Sequence, residues 1–214
     1  PPFGNVRAVT DAVADSPVAV GAQTVHHEVS GAYTGSVSAP MLRAVGCTYA
    51  IVGHSERREY QGETDEDVNR QMAAALDHGL IPIVCVGESL EERKAGRAEA
   101  VVEEQVTAAL AGLDVEDPED IVVAYEPIWA IGTGETATPE QAQTMHAHVR
   151  SLLDGLLPAG TEPTTEILYG GSMKPYNAAD LLAQPDITGG LVGGASLQAD
   201  DFTAIVEEAE QIAA

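Results

Sequence analysis

A repeated alternation of two kinds of segment constrains the fold of this 214-residue chain more than any other feature. A short apolar, β-branched run ends in glycine or a polar residue, and a segment with apolar residues at helical spacing follows it. Such alternation is typical of βα units that share a parallel sheet. The strand-like runs cover residues 18–23, 48–53, 81–87, 121–126, 166–170 and 190–193. The sequence therefore predicts an α/β fold, and each run has the length of a barrel strand.

Apolar residues between these runs recur at three- and four-residue spacing, which predicts helices with one buried face. The four stripes are Val68, Met72 and Leu76; Val101, Val102, Val106, Ala109 and Leu110; Met145, Val149, Leu152 and Leu156; and Phe202, Ile205, Val206 and Ala209. The segment 138–141 begins a helix, because a capping threonine precedes proline and a glutamine follows at the third helical position. Gly79 marks a helix end. Met41, Met72 and Met145 are predicted to lie in the core.

The number of strands predicts an incomplete barrel. A closed barrel of this kind needs eight strands, and only the six runs given above are present. The opening residues 1–4, followed by Val6, Val9 and Val13 at helical spacing, are typical of the loop and helix that come after a strand. We therefore expect one barrel domain over residues 1–214 whose N-terminal strands are missing.

The charge of the chain is strongly negative. Against 34 Asp and Glu there are 10 Lys and Arg, so the formal net charge is −24, and the lysines are Lys94 and Lys174 alone. An acidic surface argues against nucleic acid as a partner. Two interpretations remain open: an acidic soluble protein kept monodisperse by its charge, or a halophilic protein from a high-salt cytoplasm. No apolar run reaches the roughly 20 residues that cross a bilayer, so we expect a cytoplasmic protein with no membrane partner.

Cysteine and histidine usage gives no case for a metal or a cofactor. Cys47 and Cys85 each lie in or beside an apolar run, where a free thiol packs as a small hydrophobic group. His26 and His27 are adjacent in a polar loop, and no cysteine pair or His/Cys cluster has ligand spacing. We expect no disulfide and no bound metal.

Glu126 is a candidate general base. It ends the run 121–126, and the segment 127–134 that follows places Trp129 and other apolar residues between a proline and two glycines. A carboxylate at a strand end under an apolar flap can be stripped of water, which strengthens its attack on a weak carbon acid. The alternative is a glutamate in an ordinary strand-to-helix loop beside a buried tryptophan.

His54 is a candidate hydrogen-bond donor to a substrate carbonyl. It follows the run 48–53, and Ser55 is predicted to cap a short helix that begins there. The positive potential of a helix N-terminus disfavours imidazolium, so we expect a neutral ring. The alternatives are a hydrogen-bonded loop histidine and, for residues 56–58, a solvated charge run.

Two glycine pairs near the C-terminus are candidates for phosphate binding. Gly170-Gly171-Ser172 and Gly193-Gly194 follow the last two runs. Glycine lets backbone N–H groups approach an anion, and barrels often bind phosphate at these strand ends. A single glycine pair is more often an ordinary turn.

Six motifs in this order resemble the triosephosphate isomerase family, in its bacterial form, from Pro1 to the C-terminus. They are GAQTVHHEVSGAYTG at 21–35, AIVGHSERR at 50–58, PIVCVGES at 82–89, AYEPIWAIGTG at 124–134, YGGSMKPYN at 169–177 and LVGGASL at 191–197. The resemblance implies a TIM (β/α)8-type barrel. It also implies interconversion of dihydroxyacetone phosphate and glyceraldehyde 3-phosphate through an enediol(ate), in glycolysis and gluconeogenesis, without cofactor or metal.

The resemblance assigns roles to residues of this chain. Glu126 would move the carbon-bound proton, His54 would polarise the carbonyl, and Glu56 would support them without touching substrate. The segment 127–137 would form a closing lid. Backbone N–H groups at four residues would hold the phosphate: Gly132, Ser172, Gly193 and Gly194.

The chain also departs from the family pattern. The family's first strand carries an Asn-x-Lys motif whose lysine pairs with the substrate phosphate, and that segment is absent. Thr24 stands where the family usually has asparagine. Family members insert the loop corresponding to 24–37, with Thr34 near its tip, into a neighbouring subunit, so a homo-oligomer is expected.

Two further interpretations remain. A truncated, catalytically impaired isomerase homologue could act only as a structural or interaction subunit, and its residues would be the same. Another phosphate-binding barrel enzyme, such as a lyase of indole or pyrimidine metabolism, is suggested only by the late glycines. The segments 53–57 and 125–134 argue against that last alternative.

Overall fold

The structure is a computed structural model that describes residues 1–132, 136–157 and 165–213. Within these ranges no helix combines the length and the apolar character that a membrane crossing requires.

Six strands form one sheet in which neighbours follow the order of the chain. They are β1 (Gly21–Ala22), β2 (Tyr49–Val52), β3 (Ile81–Val86), β4 (Val122–Tyr125), β5 (Glu166–Tyr169) and β6 (Gly189–Gly190). β1, β2 and β3 run parallel, as do β5 and β6. Helices connect consecutive strands because a parallel pair needs a long crossover. The predicted α/β fold and the six strands of the described residues are confirmed.

The first and last strands are shorter than the predicted runs. The run 18–23 yields only β1, because Val18 is 59% exposed and its N–H bonds to the Ser16 hydroxyl instead of a neighbouring strand. The run 190–193 overlaps β6 at one residue, because the chain turns after Leu191, whose N–H still bonds to the Tyr169 carbonyl. Apolar content alone therefore predicts too great a length for both strands.

The α-helices of the described residues are α1 (Val6–Ala12), α2 (Ala39–Ala44), α3 (Ser55–Gln61), α4 (Asp65–Leu76), α5 (Leu90–Lys94), α6 (Ala98–Leu110), α7 (Pro139–Leu156), α8 (Pro175–Leu182) and α9 (Ala199–Ala213). Short 3₁₀ turns lie at Phe3–Asn5, Pro118–Asp120, Ile128–Ala130 and Gly194–Leu197. The predicted start of α7 is confirmed, since Thr138 and Gln141 bond to each other's backbone N–H groups. Gly79 adopts φ +69° three residues after α4 ends.

Some predicted core positions are wrong. In α7 the buried face runs through Met145, Val149 and Leu153, whereas Leu156 is 45% exposed. In α9 only Ile205 of the predicted stripe is buried. The face of the helix that packs against the protein is rotated about the helix axis by about a fifth of a turn from the centre of that stripe. Met41 is 55% exposed, while Met72 and Met145 are buried as predicted.

The chain divides into two compact units, and the division falls inside β3 and β4. The first unit comprises Pro1–Val84 and Ala108–Val122, and the second comprises Cys85–Thr107 and Val123–Ala214. Each has its own buried apolar residues: Leu42, Val52, Val68 and Met72 in the first, and Val102, Leu153, Ile167 and Leu181 in the second. Cys47 and Cys85 are buried and are not joined in a disulfide, and burial raises the pKa of Cys47.

Candidate active site

Glu126 lies directly after β4, in the second unit, and is only 2% exposed. All four residues of β4 are buried, as expected for a strand of a parallel sheet that is covered on both faces. The Glu126 N–H donates to the Val86 carbonyl at 2.7 Å, so strand pairing continues one residue past β4. The sequence therefore placed this carboxylate correctly at a strand's carboxyl end.

Two glycines press against Glu126 and exclude any larger residue. A Cβ on Gly87 would lie 1.7 Å from the Glu126 carbonyl oxygen, and one on Gly170 would lie 2.8 Å from Glu126 Cγ. The Gly170 N–H also bonds to the Tyr125 carbonyl at 2.7 Å. Glycine is needed at both positions because of this close approach rather than for a turn. Gly87 was not among the predicted site residues, because its only signal in the sequence was a glycine at the end of a strand-like run.

Glu88 forms a second buried carboxylate in this unit, and its side chain is fully buried. It accepts hydrogen bonds from the Tyr125 hydroxyl at 3.1 Å, the Trp129 indole N–H at 2.8 Å and Arg93 at 3.1 Å. The Arg93 guanidinium also stacks over the Trp129 ring at 4.8 Å. A buried carboxylate is tolerated only when donors and an opposite charge replace water. Glu88 was not among the predicted site residues, although it follows a strand end as Glu126 does.

The aromatic residues beside this cluster stay neutral at ordinary pH. Burial, and then the Glu88 carboxylate, raise the pKa of Tyr125, so its hydroxyl remains a donor. Burial raises the pKa of Tyr169 to about 12. His146 packs edge-on against Tyr125 with ring centroids 5.6 Å apart, and burial lowers its pKa. His146 Nδ1 lies 2.8 Å from the Ala142 carbonyl, which places the ring proton on that nitrogen.

The segment after Glu126 begins with Pro127 and the 3₁₀ turn Ile128–Ala130. Gly132 adopts φ +68°, a conformation that favours glycine. The predicted lid 127–137 includes Thr133, Gly134 and Glu135, which lie outside the described residues.

His54 caps α3 in the first unit, which corrects the prediction that Ser55 does so. Its Nδ1 accepts the Glu56 N–H at 3.3 Å, and Ser55 is the first helical residue. The Glu56 carboxylate also lies 4.0 Å from Nδ1, a pairing that would need an imidazolium. That carboxylate is 70% exposed and screened by water. The hydrogen bond from the Glu56 N–H matches the neutral tautomer that carries its proton on Nε2.

The two arginines after Glu56 are not a solvated charge run. Arg57 pairs with Glu63 at 2.7 Å, and Arg58 pairs with Asp65. Arg58 Nε also donates to the Gly53 carbonyl at 2.8 Å. Arg58 therefore fixes the peptide group that precedes His54.

The late glycines lie in the second unit at the ends of β5 and β6. Ser172 is half-buried, and its carbonyl accepts from the Asn177 side chain at 3.1 Å. Gly193 and Gly194 are exposed, and no heavy atom lies within 4 Å of a Cβ built at either position. The Gly193 carbonyl accepts from the Ser196 N–H at 2.9 Å, which closes a turn before α9.

Loop 24–37, in the first unit, is a surface segment. Thr34 is exposed, and beside it the Tyr33 ring packs against His26 with centroids 4.4 Å apart and the ring planes tilted by 43°. The His26 and His27 rings are stacked at 4.5 Å, and both residues lie between β1 and α2, outside any helix or strand, as predicted. In the described parts of the chain, no three His, Cys, Asp or Glu side chains form a group able to hold a metal.

Parallel βα units with polar side chains at the carboxyl ends of the strands are the architecture of barrel enzymes. A model of the triosephosphate isomerase family matches residues 1–209. Triosephosphate isomerase of Chloroflexus aurantiacus is 56% identical over 206 residues, covering 96% of this chain and 82% of the relative. That of Roseiflexus castenholzii is 55% identical, covering 96% and 81%, and that of Moorella thermoacetica is 54% identical, covering 96% and 82%. The chain belongs to the triosephosphate isomerase family, the intramolecular aldose–ketose isomerases of glycolysis.

Proposed function

We propose that this protein interconverts dihydroxyacetone phosphate and glyceraldehyde 3-phosphate by proton transfer through an enediol(ate), in glycolysis and gluconeogenesis. The observation that carries the proposal is the Glu126 carboxylate, 2% exposed at the end of β4. A general base must lie where water does not compete for the reacting proton, and a carboxylate buried at a strand end meets that requirement.

Glu126 moves the proton between the two carbons. It takes the proton from the carbon beside the substrate carbonyl, and the bonding electrons form the enediolate. The protonated carboxyl then returns the proton to the neighbouring carbon. The contacts of Gly87 with its carbonyl and of Gly170 with its Cγ support this role, because they restrict both the backbone and the side chain.

His54 serves the substrate oxygens. With Nδ1 accepting the Glu56 N–H, the neutral ring carries its proton on Nε2. That N–H donates to the carbonyl oxygen, where negative charge develops, and takes part in moving the proton between the oxygens. Glu56 supports the ring through its backbone rather than by contact with substrate.

Backbone N–H groups bind the substrate phosphate. The residues are Gly132, Ser172, Gly193 and Gly194. The open space above Gly193 and Gly194 supports this assignment, since a Cβ at either position would otherwise shield the peptide N–H groups from an anion. No cofactor or metal takes part in the proposed reaction.

We also propose that copies of the chain associate through loop 24–37 in the cytoplasm. Thr34 is exposed there, and its loop neighbours Val29 and Tyr33 are 45% and 44% exposed. Exposed apolar side chains on a loop suit a protein contact. Sedimentation of the wild type should give a species heavier than 22.3 kDa, and Thr34→Arg should lower its mass. A wild-type monomer would contradict the proposal.

The test of catalysis is an isomerase assay of the wild type at high KCl, with Glu126→Gln purified identically. We expect turnover at least ~10³-fold above that variant, and a loss of about 10²-fold for His54→Gln. Turnover equal to that of Glu126→Gln, from protein with a cooperative melting transition, would contradict the proposal. It would favour an impaired homologue that acts as a structural or interaction subunit.

A further inference from the structure

Gln105, on α6, makes two reciprocal hydrogen bonds with the backbone of Gly87. The Gly87 N–H donates to Gln105 Oε1 at 2.7 Å, and Gln105 Nε2 donates to the Gly87 carbonyl at 3.1 Å. A carboxamide can do this because it carries an acceptor and a donor side by side. The pair therefore fixes both peptide groups of a residue that lies just past the end of β3.

Gly87 in turn lies against the main chain of Glu126. A Cβ on Gly87 would be 1.7 Å from the Glu126 carbonyl oxygen and 2.7 Å from its carbonyl carbon. On either side of this contact, the Val86 carbonyl accepts the Glu126 N–H at 2.7 Å and the Glu88 carbonyl accepts the Ile128 N–H at 3.2 Å. The segment 86–88 is thus a backbone support for 126–128.

We propose that Gln105 is a positioning residue for the base of the isomerase reaction. It rests on the proposed role of Glu126, and it acts without touching substrate. Gln105 holds Gly87, and Gly87 limits where the Glu126 peptide can lie. With Gly170 against Cγ on the other side, the backbone position determines the carboxylate position. A displacement of about 1 Å at a reacting group can cost on the order of 100-fold in rate.

A purely structural role for Gln105 is the competing explanation, and Gln143 provides a matched control. Gln143, on α7, also makes two hydrogen bonds with one residue. Its Oε1 accepts the Asp186 N–H at 3.1 Å, and its Nε2 donates to the Asp186 carboxylate. Gln143→Ala therefore removes the same number of hydrogen bonds from the same unit, but it leaves the support of Glu126 intact.

The experiment compares Gln105→Ala with Gln143→Ala in the full chain. We expect kcat to fall about 10- to 100-fold in Gln105→Ala with KM within about twofold, because geometry and not substrate affinity is lost. Gln143→Ala should keep kcat within about twofold at a similar loss of stability. The fluorescence of Trp129, the single tryptophan of the chain, gives a readout without turnover, since its N–H bonds to Glu88 beside Gly87. Its emission should shift only in Gln105→Ala.

Gln105→Glu adds a readout that packing alone would not change. An ionised glutamate still accepts the Gly87 N–H but faces the Gly87 carbonyl without a donor, whereas the protonated acid can make both hydrogen bonds. Its kcat, relative to that of the wild type at each pH, should therefore rise as the pH falls. This variant also replaces Gln105→Ala if the alanine variant does not fold.

Three results would each overturn the proposal. The first is an equal loss of kcat in the two alanine variants, and the second is unchanged kcat and emission in Gln105→Ala. The third is a ratio of Gln105→Glu kcat to wild-type kcat that does not change with pH. If wild-type turnover equals that of Glu126→Gln, the proposed function fails, and the role of Gln105 in that reaction fails with it. Wild-type turnover well above that of Glu126→Gln, with equal losses of kcat in the two alanine variants, overturns the positioning role alone.

Discussion

Gly170 sets the space available to the Glu126 side chain. Because a Cβ at this position would lie 2.8 Å from Glu126 Cγ and 3.1 Å from the Tyr125 carbonyl oxygen, Gly170→Ala should displace the carboxylate. We expect kcat to fall by about 10- to 100-fold. Gly155→Ala is the control, since no heavy atom lies near a Cβ there and alanine favours a helix by about 0.5–1 kcal/mol. Steady-state kinetics test this, and an unchanged kcat in Gly170→Ala would show that the side chain has room to move.

Glu88 is fully buried and accepts hydrogen bonds from three donors, on Tyr125, Trp129 and Arg93. Glu88→Gln keeps the shape but removes the negative charge, and it turns an amide N–H toward groups that also donate. Because Arg93 then lacks its counter-charge, we expect the free energy of unfolding to fall by about 3 kcal/mol. Urea unfolding followed by Trp129 fluorescence measures it. Glu103→Gln, on the exposed face of α6, is the control and should change the free energy of unfolding by less than about 0.5 kcal/mol. Equal losses in the two variants would contradict the role of Glu88 as the buried counter-charge of Arg93.

Whether a site residue could be predicted depended on how far its partners lie along the chain. The positions of Glu126 and His54 follow from local pattern, because each comes directly after an apolar run. Glu88 also follows an apolar run, but its contacts could not be predicted, since its partners Tyr125 and Trp129 are 37 and 41 residues away. The role of Gln105 is equally invisible, because its partner Gly87 has no side chain to signal a contact.

At the scale of single elements, capping was predictable and rotation about the helix axis was not. A cap such as Thr138 depends on the next three residues, so the sequence contains all of it. The face that a helix buries depends on the elements packed against it, and α9 turns Phe202 and Val206 outward at 42% and 40% exposure. His54 shows a limit of the capping rule, since a histidine nitrogen replaced the expected serine hydroxyl.

The N-terminus of α4 should contribute stability that depends on pH. Asp67 accepts hydrogen bonds from the Thr64 N–H and hydroxyl at 3.0 and 2.8 Å. These bonds, led by the one from the backbone, lower the pKa of Asp67 from 3.8 to about 2. Because the folded-state pKa is the lower one, the stabilisation is present above pH 3.8 and is lost as the pH falls toward 2. It should amount to about 1 kcal/mol, since the partly exposed carboxylate is screened by water.

Asp67→Asn should remove this contribution. Urea unfolding between pH 5 and pH 2 should show that the unfolding free energy of the wild type falls more than that of the variant. The two profiles should run parallel above about pH 4 and converge below it, where the wild type loses the Asp67 contribution. Glu66→Gln is the control, because its side chain is 81% exposed on the same turn of α4. Parallel pH profiles for Asp67→Asn and the wild type would rule out the capping contribution.

At the scale of the whole molecule, electrostatic repulsion is set by composition. With a net charge of −24, repulsion among carboxylates opposes folding at low ionic strength. Several acidic residues are nevertheless paired locally, as Glu63 is with Arg57 and Glu88 is with Arg93. Salt screens exposed charges far more than buried pairs, so it should relieve the repulsion while leaving these two pairs largely intact.

The melting temperature should therefore rise with KCl concentration. The Debye length falls from about 10 Å at 0.1 M to about 3 Å at 1 M, so most repulsion between exposed carboxylates disappears in that range. Replacing four exposed glutamates by lysine, at positions 103 and 104 on α6 and 207 and 210 on α9, should make the dependence shallower, because the variant starts with less repulsion. Scanning calorimetry from 0.1 to 3 M KCl measures both proteins, with sucrose of equal osmolality separating charge screening from general solute exclusion. The idea fails if the melting temperature is equal at low and multimolar KCl, or if it changes equally with KCl in the two proteins. Either result would mean that repulsion between carboxylates does not limit stability. The acidic composition would then be no sign of a high-salt cytoplasm.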